Sequence, residues 1–185
     1  MRQIKFVSIG DLDIGKTRFF NTLINFDIDD YYSPTIGVSY FSINHIYNDT
    51  FYQCSFWDTS GGERYQNLIK DYIIGSCGCI LFFDYNDLES IQFITNKITY
   101  LKELNPSILL FAIGFNYEHS RLNDMGLLVF LSIKKCLDVL KIHDIPIYRL
   151  KAFKNSEVSY IIKLLLNDFI SQCIKKNITI IIQRV

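Results

Sequence analysis

Gly10-Asp11-Leu12-Asp13-Ile14-Gly15-Lys16-Thr17 fits the spacing G-x-x-x-x-G-K-[ST], and the chemistry of that spacing is the holding of a phosphate chain. Glycines let the backbone turn so that successive N–H groups face one anion. A helix starting there adds positive dipole to the same spot. Lys16 brings a full charge for the outer phosphates, and Thr17 a hydroxyl for a magnesium ion. Phosphoryl-transfer sites also need an acid that steadies the metal, and Asp58 is the candidate. It ends the apolar run Phe51–Trp57, at the strand edge where α/β sheets take ligands. Asp58-Thr59-Ser60-Gly61 then forms a turn whose Gly61 N–H is suited to a terminal phosphate. Thr35, after Pro34, offers another hydroxyl for the metal. Each residue alone has a plainer reading. The glycines make a chance loop, Asp58 caps the next turn, and Thr35 is an ordinary loop threonine.

The elements that must position these groups alternate between strand and helix patterns, which predicts an α/β fold with a mostly parallel sheet. Strands are predicted over Gln3–Ile9, Val38–Ile46, Phe51–Trp57, Cys79–Asp84, Ile108–Ile113 and Ile147–Leu150. Asn48-Asp49 is a turn signal that makes the second and third of these an antiparallel hairpin. Helices are predicted over Lys16–Asn25, Asn67–Ile74, Leu88–Leu104, Asp124–Lys141 and Ser156–Lys176, with Asp124 and Ser156 as their caps. Phe26–Gly37 and Thr59–Gln66 read as loops. One domain covers 1–177, and 178–185 is a short apolar tail. Ile178-Thr179-Ile180-Ile181-Ile182 is expected to pack on the core, with self-association as the alternative.

The composition narrows the function classes. At 185 residues and 49% hydrophobic, the chain suits one domain with a sizeable core. Lysines plus arginines equal aspartates plus glutamates at 19 each, and no basic stripe suggests nucleic-acid binding. Cys54, Cys77, Cys79, Cys136 and Cys173 lack paired metal spacing and read as reduced core cysteines. His45, His119 and His143 are scattered, so no metal site is read into them. No apolar run reaches transmembrane length, and Met1-Arg2-Gln3 leads straight into a strand rather than a secretory signal.

Four blocks together resemble a Rab-type small GTPase of the Ras superfamily. They are Gly10–Thr17; Pro34-Thr35-Ile36-Gly37-Val38-Ser39-Tyr40; Trp57-Asp58-Thr59-Ser60-Gly61-Gly62-Glu63-Arg64-Tyr65; and Tyr72-Ile73-Ile74-Gly75-Ser76, which leads into Cys79–Asp84. The resemblance is strong up to Asp84 and weaker beyond it. It implies a Ras-like P-loop fold: a six-stranded, mostly parallel sheet with one antiparallel edge strand, flanked by helices. It also implies GTP/GDP and Mg²⁺ as cofactors, and two loops that order around the γ-phosphate. The implied nucleotide-binding set is Asp13, Ile14, Gly15, Lys16, Thr17, Arg18, Tyr32, Pro34, Thr35, Gly61, Asn116, Glu118, Ala152 and Phe153, with Thr17, Thr35 and Asp58 at the metal. Implied partners are effectors and regulators reading Ile36–Tyr40 and Trp57–Tyr65. The implied setting is the cytoplasm, peripheral to membranes of a host or parent cell, as a monomeric switch in vesicle trafficking.

Departures from the family pattern carry as much information. Gly62 stands where the family has its water-positioning glutamine, so hydrolysis is expected to be slow and no catalytic residue is secure. Leu12 and Asp13 replace small residues. The cost of a carboxylate beside phosphates selects an outward-pointing Asp13. The guanine-reading N-K-x-D motif falls on Phe115, Asn116, Tyr117 and Glu118, where only Glu118 resembles its acid. The later S-A-K motif falls on Lys151-Ala152-Phe153, where only Ala152 matches, and the aromatic that packs on the base falls on Ile28. Reduced guanine preference is the expectation. The chain ends Gln183-Arg184-Val185 and shows no prenyl-cysteine. Gly62, Phe115 and Phe153 also keep a second reading open: a non-hydrolysing module that presents Rab-like surfaces to trafficking regulators. An ATP-using enzyme is a third, disfavoured because the Thr35 and Asp58 blocks match switch loops.

Overall fold

A computed structural model describes residues 2–26, 35–61, 66–115, 127–176 and 178. Their order is β1 (Arg2–Ile9), α1 (Lys16–Leu23), β2 (Val38–Tyr47), β3 (Thr50–Thr59), α2 (Gln66–Ile74), β4 (Gly78–Asp84), α3 (Leu88–Leu104), β5 (Leu109–Phe115), α4 (Leu127–Ile142), β6 (Ile147–Leu150) and α5 (Asn155–Lys175). Among these residues one six-stranded sheet runs β2-β3-β1-β4-β5-β6. Only the β2–β3 pair is antiparallel, as expected from the Asn48-Asp49 turn. Both turn residues take positive φ, 46° and 58°, a region short polar side chains tolerate better than most.

Strand alternation sends side chains to two separate cores. Ile4 and Phe6 of β1, Cys54 and Phe56 of β3, Ile80 and Phe82 of β4, and Phe111 and Ile113 of β5 face α1 and α5. Val7, Ile9, Cys79, Leu81, Phe83, Leu110 and Ala112 face α2, α3 and α4. The first core is dense in aromatic rings. Phe20 alone meets Phe41, Phe56 and Phe82 at centroid distances of 5.2, 5.3 and 5.9 Å. β4 and β5 lie between neighbours on both sides, which explains their uninterrupted apolar runs.

Polar side chains lock the helix ends. Asp87 caps α3, its carboxylate accepting from the Glu89 N–H at 3.0 Å. Asn105 donates to the carbonyls of Ile73 and Ser76 at 3.0 and 2.8 Å, tying the end of α2 to the end of α3. Asn155 donates to the Thr22 and Leu23 carbonyls, tying α5 to the end of α1.

One cap differs from expectation. Lys154, not Ser156, stands at the cap of α5, and no side chain caps it. The helix begins one residue earlier than predicted, because Glu157 in its first turn reaches back to accept from the N–H groups of Lys151 and Ala152. That carboxylate satisfies the preceding loop and complements the helix dipole. Thr59 and Gln66 likewise belong to β3 and α2 rather than to the loop between them. Asp124 lies outside the described residues. Ile178 packs against the α1/α5 core, and its N–H donates to the Cys173 carbonyl at 2.9 Å. Cys54, Cys79 and Cys173 are buried and all five cysteines are free; burial pushes the Cys54 thiol up to about 12.

Candidate functional site

β1, β3 and β4 all end at the same edge of the sheet, and the loops leaving that edge form the site. Gly10 follows β1. A Cβ there would stand 2.8 Å from the Phe82 carbonyl oxygen, so only glycine lets the chain leave the strand so close to β4. The loop then rises through Asp13 (φ 57°) and Gly15 (φ 96°), both left-handed, and α1 opens at Lys16. Gly15 is the N-cap, and among the described residues no side chain caps this helix. The opening N–H groups of α1 are therefore left for an anion.

Lys16 is buried. Its ammonium donates to the carbonyls of Gly10 at 2.9 Å and Asp11 at 2.8 Å, which folds it across its own loop. Burial lowers its pKa, and the carboxylates of Asp58, Asp11 and Asp13 partly offset that. The loop and its neighbours surround a cavity of about 300 Å³ lined by Lys16, Thr17, Arg18, Thr35, Ser60 and Gly61, among others. Leu12 and Asp13 both lie on its exposed rim.

Three oxygen donors from separate stretches converge here. The Thr17 hydroxyl donates to Asp58 Oδ2 at 2.5 Å, and Thr35 Oγ1 stands 2.8 Å from Thr17 Oγ1. Asp58 is fully buried at the end of β3, and the Ser8 hydroxyl donates to its other oxygen at 2.9 Å. Burial raises the Asp58 pKa, while the Thr17 and Ser8 hydrogen bonds and the Lys16 charge pull it back. Two hydroxyls and one carboxylate form a hard, all-oxygen set. It fits Mg²⁺, which keeps most of its positions for water and phosphate rather than for a full protein cage.

Thr35 comes to the site because the Ser60 N–H donates to the Gly37 carbonyl at 3.0 Å, joining the turn after β3 to the chain entering β2. Thr59 fixes the turn from beneath, its hydroxyl donating to the Ser8 carbonyl at 2.6 Å. Ser8 and Thr59 were not read from the sequence. Ser8 lies directly across from Asp58 in the parallel register, a pairing visible only once the strands are aligned.

Gly61 approaches the phosphate loop most closely. A Cβ there would stand 2.5 Å from the Leu12 nitrogen and 2.6 Å from the Asp11 carbonyl oxygen, both backbone atoms that cannot swing aside. Gly61→Ala is therefore expected to push the two loops apart, costing about 1–3 kcal/mol in overpacking. Thermal unfolding and nucleotide titration should both register it. Unchanged midpoint and affinity would contradict this packing.

The far end of the site is apolar. Phe115, closing β5, is buried and stacks on Phe82 at 5.6 Å. Its ring also meets Phe153 at 5.1 Å, and the Arg18 guanidinium lies 4.6 Å from the Phe153 ring centre. Ala152 is half-buried beside them, held through the Glu157 carboxylate. Glu157 is another positioning group missed from the sequence; a glutamate two residues into a helix is too common to signal it. Tyr32, Pro34, Gly62, Asn116 and Glu118 lie outside the described residues.

Around the edge of the sheet, Tyr40 is 53% exposed and Ile36 84% exposed. Tyr40 meets the half-buried Trp57 edge-on at 5.1 Å, and Trp57 meets Tyr72 at 5.0 Å. The sequence suggests Tyr40, Trp57 and Tyr65 as partner surface; Tyr40 and Trp57 pack together with Tyr72, and Tyr65 is outside the described residues.

Comparison with known proteins agrees with this geometry. The family model described as "Ras of Complex, Roc, domain of DAPkinase" matches residues 5–117. The human Ras-related protein Rab-7b is 32% identical over 114 residues, covering 58% of this chain and 57% of its own length. The bovine Rab-7b is 36% identical over 89 residues, covering 48% and 44%. The pea Ras-related protein Rab7 is 30% identical over 105 residues, covering 56% and 51%. The chain thus spans about half the length of the curated relatives it matches. Together with the phosphate loop, the sheet order and the converging Thr17, Thr35 and Asp58, the match shows that the chain belongs to the Ras-type domain family as a divergent Rab-type small GTPase.

Proposed function

We propose that this chain is a Rab-like molecular switch that binds GTP and GDP with Mg²⁺, hydrolyses GTP slowly, and acts in vesicle trafficking through partner proteins. One observation carries the reading. Lys16, Thr17 and Thr35 line one cavity, and Asp58, from a third stretch, is hydrogen-bonded to Thr17 beneath it. In this reading the loop N–H groups and Lys16 hold the β- and γ-phosphates, and Thr17, Thr35 and Asp58 hold the metal. When bound, Mg²⁺ neutralises phosphate charge. Thr35 and Gly61 are the residues that would respond to the terminal phosphate. Among the described residues the Ser60–Gly37 hydrogen bond ties the two segments to each other and the Thr17–Thr35 contact ties the first to the phosphate loop, so loss of the ligand would loosen them together. Ile36–Tyr40 and Trp57–Tyr65 flank those segments and present the switched surface to effectors. Relatives named Ras-related protein Rab7 support a peripheral role at membranes; among the described residues no helix is long and apolar enough to cross one.

The deciding experiment is to release and identify the nucleotide carried by the purified protein, with its Mg²⁺ content. Guanine nucleotide with stoichiometric Mg²⁺ is the expected result. An empty protein, or one carrying adenine nucleotide, would overturn the reading.

Slow turnover is a separate expectation, resting on Gly62. Glycine has no side chain to orient the attacking water. Gly62→Gln is expected to raise single-turnover GTP hydrolysis by about 10–10²-fold, below the usual yield of a positioned general base because an amide orients water without taking its proton. Brisk turnover in the unmodified protein would refute this.

The packing of Phe115 against Phe153 favours one alternative: a non-hydrolysing module that keeps the fold and engages trafficking regulators. It separates from the switch reading by partner binding that is indifferent to the nucleotide state.

A further inference from the structure

The oxygen donors of the phosphate-loop cavity stand on its β2–β3 side: Thr35 precedes β2, and Asp58 ends β3 beneath Thr17. A metal and terminal phosphate held there send the rest of a ligand along the sheet edge, toward the ends of β4, β5 and β6. Arg18, in the first turn of α1, lines the same cavity and reaches that way. Its Cζ lies 4.6 Å from the centre of the Phe153 ring.

Phe153 is a fixed support. Phe115, paired with Leu150 at the ends of β5 and β6, meets its ring at 5.1 Å and stacks in turn on the buried Phe82 at 5.6 Å. The Lys154 N–H donates to the Ala152 carbonyl at 2.9 Å, so the chain turns sharply at Phe153, and the Glu157 carboxylate holds the N–H groups of Lys151 and Ala152 just before it. A series of rings therefore runs from the core to the site and ends on the Arg18 cation. Arg18 itself is exposed, and among the described residues its guanidinium makes no hydrogen bond and no ion pair. A guanidinium is planar, so contact with Phe153 on one side leaves its other side open to the cavity that it lines.

We propose that Arg18 is the platform for the nucleobase: a purine ring stacks on the open side of its guanidinium, with Phe153 backing it from the other. The proposal rests on the nucleotide-binding reading above and names the side chain that holds the base. A cation attracts the π-face of a ring, and the flat guanidinium adds contact area that an ammonium lacks. Such a stack takes any base, because every base has a π-face. It supplies affinity without separating guanine from adenine, in keeping with Phe115 and Phe153, whose rings offer the base no hydrogen-bonding group. The other use of an arginine here is an ion pair with a phosphate. Its placement opposes that use: the Lys16 ammonium folds across the phosphate loop, whereas the Arg18 guanidinium is turned away to Phe153.

The test titrates GDP, ADP and ribose 5-diphosphate, which keeps the sugar and phosphates but lacks the base, into the full chain with Mg²⁺ by calorimetry after carried nucleotide is removed. Arg18→Ala should weaken GDP and ADP together by about 5- to 150-fold, the range for losing one stacking partner of a base. Ribose 5-diphosphate should stay within about threefold of its wild-type affinity. Arg18→Lys keeps the charge and loses the plane, so it should restore neither nucleotide. Because Arg18 is exposed, both variants should keep the wild-type unfolding midpoint. Equal losses for all these ligands, or rescue by lysine, would assign Arg18 to the phosphates and overturn the platform. GDP and ADP binding undiminished in Arg18→Ala would overturn it as well and leave the switch reading standing. Wild-type protein that binds ADP and not GDP, and loses ADP in Arg18→Ala, would uphold the platform while removing the guanine switch. Wild-type protein that binds none of these ligands would overturn both.

Discussion

Lys16→Ala should weaken nucleotide binding by about 10²–10³-fold, the loss expected when one partner of a desolvated charge pair is truncated, ~3–4 kcal/mol. Lys16 is buried at 6% exposure and points across a loop whose other contribution is backbone N–H groups, so no neighbouring cation can replace it. Arg18 also lines the cavity, but its guanidinium lies over the Phe153 ring. The substitution acts on the fold as well. The carbonyls of Gly10 and Asp11 lose their donor, and buried Asp58 loses the one cation that favours its charged form. A lowered unfolding midpoint should therefore accompany the loss of binding. Fluorescence titration with labelled GDP, read beside a thermal melt, separates the two effects: ligand should restore wild-type protein and fail to restore the variant. Affinity within threefold of wild type would mean that the phosphates do not sit in this loop.

Guanine preference is the second large effect, and here the expectation is a loss already present in the wild-type chain. A site built to hydrogen-bond its substrate rejects an analogue lacking the matching groups by about 10⁴–10⁵-fold, because buried polar groups are then left unpaired. Phe115 and Phe153 put ring faces where the family pattern has polar or charged side chains, and ring faces leave nothing unpaired when the base changes. By the family resemblance we propose Glu118 as the one carboxylate for the base, one methylene longer than the family's acid. Competition of GDP and ADP for the loaded protein should therefore give a preference below about 10², set by Glu118 alone. Glu118→Ala should then bring the two nucleotides to near equality. Tight and exclusive guanine binding would show that the aromatic wall reads the base by a route other than hydrogen bonding.

These two expectations fall at opposite ends of one site, and the ends differ in how they could be read. The phosphate end was legible because its chemistry is local. Gly10–Thr17 is a continuous segment whose glycines, lysine and threonine do their work through backbone turns set by neighbouring residues. The strands were legible for a similar reason. Central strands bury both faces, so β4 and β5 are unbroken apolar runs, while the β2–β3 hairpin announces itself through Asn48-Asp49. Element ends were less legible. Ser156 looked like a cap, yet Glu157 reaches back to the loop and the helix starts before it, a choice made by tertiary hydrogen bonds that propensity does not encode.

By itself, then, the amino-acid order determined the α/β alternation, the antiparallel hairpin, the phosphate loop, and Thr35 and Asp58 as its distant companions. Only the tertiary structure decided what surrounds them. It set Ser8 against Asp58 through strand register and joined Thr35 to the site through the Ser60–Gly37 hydrogen bond. It pressed Gly61 onto the loop backbone and stacked Phe115 on Phe153. It also set the Lys5 ammonium beside the Trp57 and Tyr72 rings. The physical reason is common to all of these. A motif specifies its own backbone over a few residues, whereas register, burial and the pairing of a charge depend on chain segments far away in sequence, brought together only when the cores close.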